Sequence, residues 1–142
     1  MKKIYLLLFA FMLGIGSKAQ NTSKPFHASI YDEENGVHME INFYDKDIVV
    51  PDQEVFGEIA GYIASKKDFR KWLIVDVELV NNTTANLTVI NDYGSEDFTA
   101  ILTECPDGSY LFKHQSGSPL KFVVNKKWQK MPSNLHLKRQ IE

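Results

Sequence analysis

The sequence predicts an all-β fold: an antiparallel meander of about eight to ten short strands, closed as an up-and-down β-barrel, with a two-sheet β-sandwich as the alternative. Three observations predict it. Apolar and polar residues alternate with period two through most of the chain, turn chemistry interrupts the alternation at short intervals, and no segment keeps a helical period beyond two turns. Connections of about two to six residues favour antiparallel neighbours. A meander of that many strands curls, and closure removes its exposed edges.

The first residues read as an address. Met1-Lys2-Lys3 is a basic head, Ile4 to Ile15 is almost unbroken apolar sequence, and Ser17 and Ala19 stand at −3 and −1 of a cut before Gln20. That pattern predicts a secretory signal peptide over residues 1–19 and an exported protein, periplasmic or extracellular. The apolar run is too short for a membrane span of about 18 residues or more. Residues 20–142 are then one all-β domain, with 20–24 a polar, disordered tail. Removal of Lys2, Lys3 and Lys18 moves the net charge from −2 to −5. Cys105 is the single cysteine, which excludes an intramolecular disulfide framework and multi-cysteine metal sites.

Along the domain each element has its reason. Phe26, Ala28 and Ile30 alternate with polar neighbours, and Glu33-Glu34-Asn35-Gly36 is a turn. Val37, Met39, Ile41 and Phe43 return. If Asp32 faces Val37, then Phe26 meets Phe43, Ala28 meets Ile41 and Ile30 meets Met39, so the apolar sets share one face. Asp47 to Val50 is a short piece stopped by Pro51. Val55 to Ala64 reads as a strand bent or closely approached at Gly57 and Gly61. Trp72 to Val80 is the strongest strand, with Leu73, Val75, Val77 and Leu79 on one side. Leu87 and Val89, then Phe98, Ala100 and Leu102, mark two more. Pro106-Asp107-Gly108 turns into Tyr110 and Phe112. Leu120, Phe122 and Val124, then Leu135 and Leu137 after Pro132, complete the series.

This strand number and spacing resemble those of small exported bacterial β-barrels, among them lipocalin-like and avidin-like proteins and periplasmic lysozyme inhibitors. The resemblance covers architecture alone and implies a small closed barrel; no binding residue is carried over from it.

Several groups are candidates for chemistry. Asp76 and Glu78 share the Trp72/Ile74 side of the strongest strand, and line a cavity or its rim if that side faces one. His38 and Glu40, two apart on a strand face, suit an acid–base pair. Asn91 to Asp97 is rich in oxygen ligands but lacks the spacing of a calcium loop. Cys105 lies on the order of 15 Å from His114 along the chain, too far for nucleophile and base. No cofactor, catalytic residue or metal is expected.

Charge is the most informative feature. Residues 20–112 carry 6 basic and 17 acidic side chains, whereas residues 113–142 carry 7 basic and one acidic. Within the basic segment Trp128 is flanked by Lys126, Lys127 and Lys130. These four, with Trp72, are the binding candidates, because an aromatic among cations anchors an interface. The sequence predicts an exported non-enzymatic binding module that uses its barrel mouth, its loops or this segment. The alternative is an antagonist, an inhibitor or immunity-type protein acting on another exported protein. A hydrolase using Asp76 and Glu78 stands third. An acidic envelope polymer or an exported protein is the expected partner, and export disfavours nucleic acid.

Overall fold

A computed structural model describes residues 24–141. The predicted signal peptide and residues 20–23 of the tail lie outside the described residues. The strands are β1 (His27–Asp32), β2 (Val37–Asn42), β3 (Ile48–Val49), β4 (Glu58–Ile59), β5 (Gly61–Ser65), β6 (Asp68–Leu79), β7 (Thr84–Asn91), β8 (Asp97–Glu104), β9 (Tyr110–Gly117), β10 (Lys121–Val124), β11 (Lys127–Lys130) and β12 (Asn134–Arg139). Eight of them, β1-β2-β5-β6-β7-β8-β9-β12, close on themselves as an antiparallel barrel. Barrel, not sandwich, is the architecture. Two hairpins, β3–β4 and β10–β11, are excursions from it. No helix among the described residues is long and apolar enough to cross a membrane.

The first hairpin has the register that its alternation dictates. Asp32 opposes Val37, Ile30 opposes Met39 and Ala28 opposes Ile41, and the Phe26 and Phe43 rings stack at 5.3 Å. The Asp32 carboxylate accepts the Asn35 side-chain amide at 2.7 Å, which holds the turn.

The interior is filled. Inward residues from all eight strands form one cluster of buried side chains. Within it Trp72, Phe98 and Phe112 follow one another at ring separations of 5.3 and 6.2 Å. A barrel of eight strands is just wide enough for its own side chains, and aromatics fill this one. Arg139 fastens the closing seam, donating to the Tyr110 hydroxyl at 2.8 Å and to the carbonyl of Pro25 at 3.3 Å.

Three elements depart from the sequence reading. Val55 to Ala64 is not one strand: a 3₁₀ turn (Glu54–Phe56) precedes β4 and β5. The β3–β4 excursion lays Val50 against Tyr62, Ala64 and Leu73 on the outer wall, making a second small core. Leu73 therefore faces outward and is still buried.

The second departure is in β6. A β-bulge lies between Ile74 and Asp76, where the register against β7 shifts. Before it Trp72 and Ile74 point inward; after it Val77 packs against the core opposite Leu87, while Leu79, opposite Ala85 at the strand end, is 44% exposed. An extra residue inverts the phase of everything that follows it. The third departure is β11, a strand that contains only exposed residues and so offers no buried alternation to read.

Candidate functional site

In an up-and-down barrel, alternate connections open at the same end. The β1–β2, β5–β6 and β7–β8 turns and the β10–β11 excursion thus gather at one mouth, although they are far apart in sequence. The excursion caps that mouth: Leu120 and Phe122 drop into the core. On the opposite face of the hairpin, Lys121 and Val123 pair across from Lys130 and Trp128.

Asp68 and Trp72 anchor the hairpin from β6. The Asp68 side chain is buried, holds the Arg70 guanidinium at 2.9 Å and accepts the Val123 N–H at 2.7 Å. The Trp72 indole N–H donates to the Lys121 carbonyl at 3.0 Å. Two β6 side chains thereby take the place of a neighbouring strand for β10.

Above this anchor stands Trp128, 57% exposed. Lys121 and Arg70 lie 5.1 and 5.2 Å from its ring centroid, and Arg70 also lies 4.8 Å from the Phe69 ring. One guanidinium thus sits between two aromatic faces, a favourable cation–π arrangement. Lys121 pairs with Glu96 at 3.0 Å. Phe69 and Tyr93 are 74% and 76% exposed. Together Trp128, Tyr93, Arg70, Lys121 and the edge of Trp72 line a cleft of about 160 Å³.

The binding candidates divide accordingly. Trp128 and Trp72 meet at this cleft, but Trp72 is only 3% exposed and serves chiefly as core and anchor. Lys130 shares Trp128's face of the hairpin, whereas Lys127 faces the other way and Lys126 occupies the turn. The cations stacked on Trp128 are therefore Arg70 and Lys121, not the lysines beside it in sequence. Sequence reasoning missed Arg70, Phe69 and Tyr93. The available signal was Tyr93 inside a polar turn and Phe69-Arg70 directly after the basic Ser65–Asp68 segment.

Asp76 and Glu78 do not line the interior. The bulge turns them to the outer wall, where they pair with Thr88 and Asn86 and border an open depression; Glu78 accepts the Asn86 amide at 3.2 Å. His38 and Glu40 also face outward. Glu40 accepts the Ser29 hydroxyl at 2.6 Å, and the His38 ring meets Tyr62 edge-on. Burial lowers the His38 pKa below the ordinary histidine value; Glu40 opposes this, and Lys71 and Lys66 add to it. The Asn91 carboxamide oxygen accepts the Ser95 and Glu96 N–H groups, so the oxygen-rich segment closes on itself as a turn. Cys105 belongs to the β8–β9 turn, at the end of the barrel opposite the capped mouth. His114 packs on Phe98 and hydrogen-bonds the Ser118 carbonyl.

No protein-family model, curated protein or solved structure matches this chain.

The arrangement is an aromatic and cationic surface at one end of the barrel. Lys66, Lys67, Lys71, Lys126 and Lys127 add positive charge in and beside its turns; against them stand Glu33 and Glu34 in the β1–β2 turn, Glu96, paired with Lys121, and Asp92, which accepts the Gln53 amide.

Proposed function

We propose that this is an exported, non-enzymatic barrel that docks an acidic protein at its capped mouth, with Trp128 as the anchor. The observation that carries the reading is the cleft beside Trp128 on an otherwise filled barrel. At about 160 Å³ it is smaller than the roughly 300 Å³ at which small-molecule sites begin. It accepts one inserted side chain from a partner. Exposed Trp and Tyr with Arg are the residues enriched at interface hot spots, and the surrounding lysines favour acidic surfaces. Among the roles considered, the antagonist of another exported protein fits best. Export itself rests on the sequence of residues 1–19.

Photo-crosslinking tests this. A benzophenone side chain at Tyr93 should give one defined protein adduct in the exporting cell, and the Trp128→Ala background should abolish it. The same probe at Gln115, on the outer wall, should give none. Adducts to polysaccharide, or an adduct indifferent to Trp128, would refute the reading.

A further inference from the structure

We propose that the free edge of β11 is where the partner binds, by adding an extended acidic segment as a further strand beside it. The proposal rests on the docking reading above and specifies its chemistry. It begins from the backbone. Asn125 and Lys126 both have positive φ, 54° and 68°, as a two-residue turn closing the Val124–Lys127 pair requires. In an antiparallel ladder, bonded and non-bonded pairs then alternate. Val124–Lys127 and Phe122–Gln129 exchange hydrogen bonds, and Met131 continues the series by donating to the Leu120 carbonyl at 2.8 Å. The main-chain groups of Lys121, Val123, Trp128 and Lys130 therefore point away from the hairpin.

On the β10 side these groups are occupied. Val123 donates to Asp68, and the Lys121 carbonyl accepts from Trp72. On the β11 side, no other strand among the described residues pairs with the edge. Trp128 and Lys130 offer an N–H and a carbonyl each in the directions a ladder needs, and such an edge is a template for strand addition.

Charge chooses the occupant. Lys127 and Lys130 lie on this strand and Lys126 in its turn. A second copy would set lysines against lysines, which is unfavourable in cross-strand pairs. Lys127 and Lys130 lie on opposite faces of β11, so a strand with glutamate or aspartate at alternate positions sets opposite charges against Lys130 on Trp128's face, or against Lys127 if shifted by one residue. Trp128 then packs over the added strand while its backbone bonds to it.

Lys130→Pro tests the edge without breaking the hairpin, because the Lys130 N–H points outward and proline is tolerated at such positions. The probe is a synthetic heptapeptide alternating glutamate with valine, compared with the same peptide N-methylated at every internal residue. At low salt and millimolar peptide, exchange of the Trp128 and Lys130 amides with deuterium should slow by about tenfold or more. The N-methylated peptide should have no such effect. Lys130→Pro should keep the wild-type unfolding midpoint and lose peptide binding, whereas Lys130→Gln should keep part of it. Equal binding of the methylated peptide, no protection of either amide, or a folded Lys130→Pro that binds normally would each overturn strand addition. So would a dimer forming through β11 without peptide. If Tyr93 crosslinking persists in Lys130→Pro, the mouth still docks a protein and only the edge assignment fails. If Trp128→Ala leaves the crosslink intact, the docking reading fails as well.

Discussion

The carboxylate of Asp68 accepts the backbone N–H of Val123 at 2.7 Å, a side chain of the barrel wall bonding to a hairpin 55 residues further on. The same carboxylate holds Arg70, which lies against Trp128. A single buried anion thus fixes both the lid over the barrel and the cation beside its exposed tryptophan.

Asp68→Ala leaves a backbone donor and a guanidinium without their acceptor. Destabilisation of about 3 kcal/mol is expected. Chemical denaturation measures it, and the exposure of Trp128 to a soluble quencher should change even in the folded variant. Asp68→Asn still accepts from Val123 and should cost less.

Deletion of Val75 tests the bulge. Without the extra residue, strict alternation still keeps Trp72, Ile74 and Val77 inward and Asp76 and Glu78 outward, so the deletion should fold and cost no more than about 2 kcal/mol. Val75→Ala keeps the bulge at a half-exposed site and should stay within about 0.5 kcal/mol of wild type. A deletion variant that fails to fold, as burial of Asp76 and Glu78 in an unbulged strand would cause, would contradict the β6 register.

Much of the fold was legible because local rules agreed. In the first hairpin, turn residues and two alternating runs admitted one register, and the structure has it. In β6 they conflicted. Trp72 and Ile74 argued for one inward face and Val77 and Leu79 for the other. Only a bulge reconciles them, and its location depends on pairing with β7. The site was half legible. Trp128 among lysines was visible as composition. Its real neighbours, Arg70 on β6 and Tyr93 beyond β7, are brought to it by the order in which hairpins open at one mouth, which alternation alone does not supply. β11 carries no buried residue and left no apolar trace.

Two glycines with positive φ should respond differently to alanine. At Gly36 (φ 66°) an added Cβ meets open space, so only backbone strain of about 1 kcal/mol applies. At Gly117 (φ 93°) the added carbon would lie 2.5 Å from the Asp97 carbonyl oxygen. Gly117→Ala should cost about 3 kcal/mol, strain and collision together. Thermal unfolding of both variants checks the ranking.

His38 should make stability depend on pH. Its pKa is lowered in the folded chain, chiefly by burial, so the unfolded state binds its proton first. The stability it contributes is complete above the ordinary histidine value of about 6.5 and is lost as pH falls from there through the folded pKa. His38→Gln should flatten that part of the stability curve. The two proteins' unfolding free energies, compared from neutral to mildly acidic pH, show whether it does.

Trp128 decides the account. Once the crosslinked partner is identified, the dissociation rate of its complex with wild type and with Trp128→Ala is the measurement to make. Loss of a hot-spot tryptophan worth about 2 kcal/mol or more should speed dissociation roughly thirtyfold. Replacing Lys126, Lys127 and Lys130 together by alanine should mainly slow association, most strongly at low salt. An unchanged dissociation rate for Trp128→Ala would contradict the claim that this mouth is where the barrel binds.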